Sequence, residues 1–137
     1  MEAKGFKISE LMAERPEETD GVWIPYAPGF EVKIARFNNP NFERESKRLR
    51  RPYLRQIRRG RIGEEVAEDI ARRAMAKTIL LDWKGLIDDD GKPIPYSQEK
   101  ALELLTKSRE FFNDILTMSQ EAEWFREEDQ EEAKGNS

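Results

Sequence analysis

The sequence feature that most constrains the fold is an apolar stripe at helical spacing within residues 64–84. Val66, Ile70 and Ala74 recur every four residues, and other apolar residues widen the stripe toward Trp83. Two glutamates at its start supply the negative charge that a helix N-terminus favours. Gly85 suits the left-handed position that follows many helices. The pattern predicts one core helix over residues 64–84, with its apolar face buried.

A β-hairpin is predicted ahead of this helix. Residues 22–26 are mostly apolar, residues 30–35 alternate apolar with polar, and Pro28–Gly29 between them is a turn signal. Such alternation is the period of a strand with one buried face. Pro25 has no N–H to donate, which places the first strand at the edge of the sheet. Because a lone hairpin is marginal in water, it must pack on the helices or on a second chain.

The remaining helices are marked by their capping residues. Asn39 before Pro40 is a helix start, and Ser97 and Ser108 each precede an apolar, helix-spaced run. Pro52 must kink or restart the helix that follows Pro40, because its ring removes a hydrogen bond. Together these signals predict an α+β fold, mainly α, in which an N-terminal β-hairpin is followed by four or five amphipathic helices.

The balance of apolar and charged residues limits the size of the core. Of the 137 residues, 37% are hydrophobic and 38% are charged, so a large part of the chain must remain solvated. We expect residues 1–20 to form a flexible N-terminal arm and residues 21–125 a single helical domain that includes the hairpin. Residues 126–137 are strongly acidic and are expected to be a disordered tail.

Several kinds of chemistry lack the residues they need. The chain has no cysteine and no histidine, so thiolate nucleophiles, disulfides and the commonest general base are missing. Residues 88–91 (DDDG) do not fit a calcium loop, because the register puts Leu86 and Ser97 where the anchoring carboxylates belong. We therefore expect no enzyme activity, catalytic residue, cofactor or metal. The absence of a signal sequence or an apolar span predicts a cytoplasmic protein with no membrane partner.

An arginine-rich segment is the first candidate binding site. Residues 44–61 hold nine Arg or Lys and one Glu. On a helical projection, the following arginines lie on one face, opposite an apolar one: Arg44, Arg48, Arg51, Arg55 and Arg58. Such a face can bind an acidic protein or the phosphates of a nucleic acid, or it can be a solvated helix face with no partner. No base-reading motif frames it, so no sequence-specific nucleic acid partner is expected.

Aromatic residues near the two ends of the domain are the second candidate. Trp23, Tyr26, Trp124 and Phe125 lie outside the strongest helical patterns. Aromatic residues at such positions either close the core or supply the anchors of a protein-binding surface. Both interpretations remain open from the sequence.

The order of several short segments resembles one protein family. These segments are residues 21–24 (GVWI), 29–36 (GFEVKIAR), 38–40 (NNP), 51–53 (RPY), 64–68 (EEVAE), 80–86 (LLDWKGL), 89–97 (DDGKPIPYS) and 101–105 (ALELL). In this order they resemble the tail assembly chaperones of long-tailed bacteriophages and prophages. The resemblance covers about residues 21–125, and the stretch from Leu80 to Ser97 carries it most strongly.

The resemblance implies a function that composition alone does not indicate. A protein of this family binds the tape measure protein, keeps it soluble and recruits tail tube subunits in the host cytoplasm, and it is absent from the mature virion. The family also implies a longer product made by ribosomal frameshifting. The sequence leaves the oligomeric state open, a homo-oligomer included. Two other hypotheses remain: a nucleic-acid-binding protein that uses the Arg44–Arg61 basic helix, and a structural protein of the virion tail or connector.

Overall fold

The computed structural model describes residues 4–126, which form seven α-helices and three β-strands. The helices are α1 (Ile8–Leu11), α2 (Glu17–Asp20), α3 (Pro40–Arg50), α4 (Leu54–Arg58), α5 (Glu64–Thr78), α6 (Gln98–Lys107) and α7 (Arg109–Gln120). The strands are β1 (Val22–Ala27), β2 (Phe30–Ile34) and β3 (Leu80–Lys84), and short 3-10 helices span Arg51–Tyr53 and Ala122–Phe125. The predicted α+β, mainly α fold with an N-terminal hairpin is confirmed.

The three strands form one antiparallel sheet in the order β1-β2-β3. β1 and β2 are the predicted hairpin, with Val22 opposite Ile34 and Ile24 opposite Val32. These four side chains point into the core, and each is at most 5% exposed. β1 lies at an edge of the sheet, as was predicted from the presence of Pro25 in this strand.

The predicted core helix of residues 64–84 is wrong in its last part. α5 ends at Thr78, and the next residues form β3, in which Trp83 pairs with Val32 and Leu80 with Ile34. The register shifts between these two pairs, so Leu81 is an extra residue in β3. The apolar pattern predicted a helix here because Leu80 and Trp83 are buried, and their burial is compatible with either a helix or a strand. What selects the strand is the free edge of β2, which is distant in sequence.

Gly85 also has a different role from the one its position suggested. It follows a strand rather than a helix, with φ +86°, and it lies against the hairpin turn. A Cβ atom at this position would come 1.8 Å from the carbonyl oxygen of Gly29. Only glycine therefore allows β3 to leave the sheet past the turn of the hairpin.

The core lies between the inner face of the sheet and helices α5, α6 and α7. Met75 and Ile79 at the end of α5 are at most 1% exposed, and Leu105 and Ile115 supply the equivalent residues of α6 and α7. The predicted caps are confirmed: Ser97 accepts a hydrogen bond from the N–H of Lys100, and Ser108 accepts one from Phe111.

The loop from β3 to α6 is fixed to the core by two long-range hydrogen bonds. The Trp83 indole donates to the carbonyl of Ile94 over 2.8 Å, and the Tyr96 hydroxyl donates to the carbonyl of Leu80 over 2.7 Å. Burial raises the pKa of Tyr96 to about 12, because the ionised form would be poorly solvated at this position. These two hydrogen bonds fix the position of the loop, which has little regular secondary structure.

The two ends of the chain are described to different extents. In the N-terminal arm, the apolar side chains of Phe6, Ile8, Leu11 and Met12 are 69–76% exposed. Near the end of the arm, Arg36 donates to Glu18 over 2.8 Å. The predicted acidic tail lies outside the described residues beyond Arg126. Within residues 4–126, no helix is long and apolar enough to cross a membrane.

Replacement of Gly85 by alanine tests the placement of β3. Gly91 is a matched control, since its φ of +82° carries the same backbone strain but a Cβ there meets no atom within 4 Å. We expect Gly91→Ala to lower the free energy of unfolding by about 1 kcal/mol. Gly85→Ala should cost about 3 kcal/mol or more, because the backbone of the hairpin turn must move. Urea unfolding measures both, and equal losses would contradict the contact between Gly85 and Gly29.

Candidate protein-binding surface

Helix α3 carries much of the candidate surface, and its first residues are anchored in the core. Asn39 is 4% exposed and accepts the predicted N-cap hydrogen bond from the N–H of Phe42 over 3.0 Å. Its amide group also donates to the carbonyl of Arg36 over 2.7 Å and to that of Thr78 over 3.3 Å. One side chain thus joins the end of the hairpin, the start of α3 and the end of α5.

A buried carboxylate fixes which face of α3 points outward. The Glu45 side chain is 9% exposed and accepts hydrogen bonds from Arg48 on its own helix and from Lys77 on α5, the latter over 2.9 Å. The hydrogen bond from Arg48 and the pairing with Lys77 lower the pKa of Glu45 to about 2. The role of Glu45 was not predicted from the sequence. Its only distinguishing feature there is that it is the one acid among the nine cations of residues 44–61.

The segment after α3 is interrupted at Pro52, as predicted. α3 ends at Arg50, a 3-10 turn contains Pro52, and α4 ends in a turn around Gly60 with φ +66°. There the N–H of Arg61 donates to the carbonyl of Gln56 over 2.7 Å, and that of Gly60 donates to Ile57 over 3.1 Å. These two bonds form a Schellman motif, which turns Arg61 back toward α4.

The five predicted arginines are all exposed on this segment. Arg48 pairs with Glu45, and Arg44 donates to the side chain of Asn41 over 3.1 Å. We call the nine cations of residues 44–61 the basic ridge; its other members are Lys47, Arg50, Arg51, Arg55, Arg58, Arg59 and Arg61. Apart from Arg48, these cations form no ion pair within residues 4–126. The ridge is therefore an exposed strip of largely uncompensated positive charge.

The far end of the ridge encloses a cleft. A depression of about 530 Å³ is lined by Arg51, Arg55, Arg59 and Arg61 together with Pro52, Leu54 and Gln56. We call it the arginine cleft. Leu54 in its lining is 43% exposed, so the cleft offers apolar contact as well as guanidinium groups. Guanidinium groups bind carboxylates and phosphates through paired hydrogen bonds.

An apolar groove lies on the other side of the same segment. It has a volume of about 420 Å³, and its apolar lining consists of Phe37, Phe42, Ile57, Ile62, Ala67, Ile70 and Ala71. Its polar lining consists of Asn38, Glu43, Ser46 and Arg50, and Arg50 belongs to both the groove and the basic ridge. The groove and the ridge together offer apolar contact beside positive charge, which suits an acidic amphipathic segment.

Two of the four predicted aromatic residues belong to the hairpin. Trp23 is half-buried on the outer face of the sheet, and the Lys84 ammonium lies 4.0 Å from its ring centroid. The Tyr26 hydroxyl donates to Asp114 over 2.6 Å, and its ring makes edge contacts with Phe30 and Phe111. Burial, and then this hydrogen bond, raise the pKa of Tyr26 to about 12. Tyr26 therefore joins the hairpin to α7, whereas Trp23 keeps an exposed part.

The other two aromatic residues lie in the last 3-10 turn. Phe125 is 0% exposed, so it is a core residue, and its assignment to a partner surface needs correction. Trp124 is half-buried, and its indole N–H is buried with no hydrogen-bond partner within the described residues. Within residues 4–126, none of the four aromatic side chains makes a ring contact or a side-chain hydrogen bond with any of the five arginines. The two predicted sets are separate features.

Comparison with protein families identifies the family of the chain. A family model described as "YdaY prophage protein" matches residues 37–136, which is 100 of the 137 residues. The match includes α3, α4 and α5 and therefore the whole basic ridge. No curated protein and no solved structure matches.

Replacement of Glu45 by glutamine tests how α3 is held. Because the folded-state pKa is depressed, the stabilisation by Glu45 is complete above its unfolded pKa near 4.5 and is lost as pH falls toward 2. We expect Glu45→Gln to lower the free energy of unfolding at pH 7 by about 2 kcal/mol. The difference from the parent protein should shrink between pH 4.5 and 2, as measured by urea unfolding across that range.

Glu103 supplies the control for this experiment. It also pairs with two lysines, Lys100 and Lys107, but its side chain is 39% exposed. Exposed ion pairs are screened by solvent, so Glu103→Gln should have the smaller effect. An equal or larger loss for Glu103→Gln would show that the buried position of Glu45 does not matter.

Proposed function

Since the chain belongs to the YdaY prophage protein family, we propose that it is a phage protein that acts as a tail assembly chaperone. In this proposal it binds the tape measure protein, keeps that protein soluble and recruits tail tube subunits. The family supports a phage-related role, and the resemblance of residues 21–125 supports the chaperone role. The structural observation that carries the proposal is the basic ridge beside the apolar groove.

The ridge and the groove define the chemistry of the bound client segment. Eight exposed cations without an ion-pair partner among residues 4–126 favour a segment rich in Asp and Glu. The groove beside them favours large apolar side chains spaced as on one face of a helix. An acidic amphipathic helix of the tape measure protein satisfies both conditions.

The outer face of the sheet is the proposed site for the second partner, the tail tube subunit. It presents part of Trp23, with Lys33 opposite Trp23 on β2 and Asp82 opposite Lys33 on β3. A half-exposed Trp among charged residues is typical of a protein-binding surface. In this proposal the client and the tube subunit use different faces of the molecule.

We infer a non-enzymatic protein that works in the cytoplasm of the bacterial host and is absent from the finished virion. Within the described residues, no group of three or more carboxylates is placed to hold a metal ion. The chemistry of the ridge is that of reversible binding, which fits a protein that must release its client.

Co-expression with the tape measure protein of the same prophage tests the proposal. The parent protein should keep the client in the soluble fraction. A triple reversal in the ridge, Arg51→Glu, Arg55→Glu and Arg59→Glu, should weaken the complex about tenfold or more, since three attractive contacts become repulsive. The control reverses three exposed lysines elsewhere: Lys4, Lys7 and Lys92. Full solubility with the ridge variant would show that the client binds another surface.

Nucleic acid binding is a second candidate function, favoured by the exposed guanidinium groups of the arginine cleft. The whole molecule carries a net charge of −4, and no base-reading element accompanies the ridge. We therefore expect weak binding to DNA without sequence preference, lost as salt rises. Fluorescence anisotropy across a salt series measures it. Submicromolar binding to a defined sequence at roughly 150 mM salt would favour this second function over the chaperone.

A further inference from the structure

We propose that the N-terminal arm of a second copy of this chain occupies the apolar groove, and that two copies exchange their arms in this way. The arm residues that enter the groove are Phe6, Ile8, Leu11 and Met12, which we call the docking residues. The last three have the spacing of one helix face, in and directly after α1. The exchange uses residues of this chain alone, so only its competition with a client rests on the proposed function.

The exposure of the docking residues is the first argument. Six large apolar side chains are exposed among residues 4–126, and four of them are the docking residues, at 69–76%. The other two, Leu54 and Ile87, are single residues in other parts of the chain. Single exposed apolar residues are ordinary on a protein surface, whereas a cluster of them marks an interaction site. The arm therefore carries apolar surface that one copy of the chain leaves without a partner.

The groove is the matching surface for such a segment. It is an open depression of about 420 Å³ lined by residues of α3, α4 and α5. Ala67 of α5 is small and exposed at its side, so a second helix can come close to the backbone there. An amphipathic helical turn binds in such a groove through apolar residues three and four positions apart. Ile8, Leu11 and Met12 have this spacing.

Charge complementarity is the second argument. Glu10 and Glu14 of the arm are exposed and form no ion pair within residues 4–126. Arg50 lines the groove, and it too is exposed and without an ion pair in that part of the chain. The groove also contains one exposed acid, Glu43, for which the arm offers Lys7. Opposite charges therefore accompany the apolar contact on both sides of the proposed interface.

The arm leaves the molecule beside the groove, which makes a reciprocal exchange short. The N–H of Arg36 donates to the carbonyl of Glu18 over 2.7 Å, and its guanidinium donates to the Glu18 carboxylate over 2.8 Å. The next residue, Phe37, lines the groove. From Met12 to Glu17 the chain spans about 17 Å when extended. Two copies related by a twofold axis near this point bring each arm to the groove of the other.

A second copy is favoured over the same molecule as the source of the arm. A contact within one chain forms without the entropic cost of association. The single chain nevertheless leaves the docking residues exposed and the groove open. A twofold exchange fills two grooves at once, and the doubled contact offsets the cost of bringing two molecules together. In the proposed function, a client segment replaces the arm in the groove.

Paramagnetic labelling of mixed molecules tests the exchange. The chain has no cysteine, so Ser9→Cys creates a single labelling site on the arm and keeps all four docking residues. Spin-labelled molecules without ¹⁵N are mixed with ¹⁵N-labelled molecules that carry no spin label. We expect the label to broaden backbone amide signals of residues 57–71 in the ¹⁵N-labelled molecules. Sedimentation equilibrium of the parent protein should show a dimer.

Two variants with exposed apolar residues removed provide the comparison. The arm variant carries Ile8→Ser, Leu11→Ser and Met12→Ser, and its fold should be retained because these side chains are exposed in the single chain. It should lose the broadening, and its dimer dissociation constant should rise about tenfold or more, since apolar contact is lost in both grooves. Ile87→Ser removes a side chain that is 57% exposed elsewhere and should change neither result.

Two results would overturn the proposal. One is a parent protein that sediments as a monomer at the concentration of the labelling experiment. The other is broadening of the groove only when the spin label and ¹⁵N are in the same molecule, because the arm would then lie in its own groove. Client solubility is a separate readout. A monomeric parent that keeps the client soluble rejects the exchange alone, and a dimer with exchanged arms that fails to do so rejects the chaperone function alone.

Discussion

The architecture of the candidate surface depends on the ion pair between Glu45 of α3 and Lys77 of α5. A carboxylate that is 9% exposed must be paired, and the hydrogen bonds from Arg48 and Lys77 meet that requirement. Together with the Asn39 cap, this pair sets the rotation of α3 about its axis. The other cations of α3, which are Arg44, Lys47 and Arg50, are then exposed. The α3 part of the basic ridge is thus a consequence of how α3 is held, as well as of its composition.

The positive charges of the chain divide into two groups with different physical roles. Arg48 and Lys77 neutralise a buried acid and contribute to folding, whereas the rest of the ridge repels itself and, in the proposed function, contributes to binding. Such repulsion costs free energy in the isolated protein and is relieved by an anionic partner. The apolar groove alongside makes the preferred partner a protein segment, since nucleic acid backbones offer it little apolar contact.

Local signals in the sequence predicted the features that depend on neighbouring residues. The caps at Asn39, Ser97 and Ser108, the hairpin turn and the break at Pro52 are each set within a few residues, and each was correct. Pairing between distant segments was not predictable in this way. β3 forms because β2 offers a free edge, and Gly85 is required because Gly29 lies against it. The exposure of the five arginines was predicted by their spacing, but burial of Phe125 and pairing of Glu45 are decided only by packing.

Hydrogen exchange of the protein, free and in complex with the tape measure protein, tests the central claim that the ridge and the groove form the client surface. Amide exchange monitored by mass spectrometry reports protection peptide by peptide. The account predicts that the client slows exchange within residues 44–71, which include the ridge and the first half of α5. The sheet strand β1 should be unchanged by the client alone. Protection confined to the sheet, or absent from residues 44–71, would contradict the account.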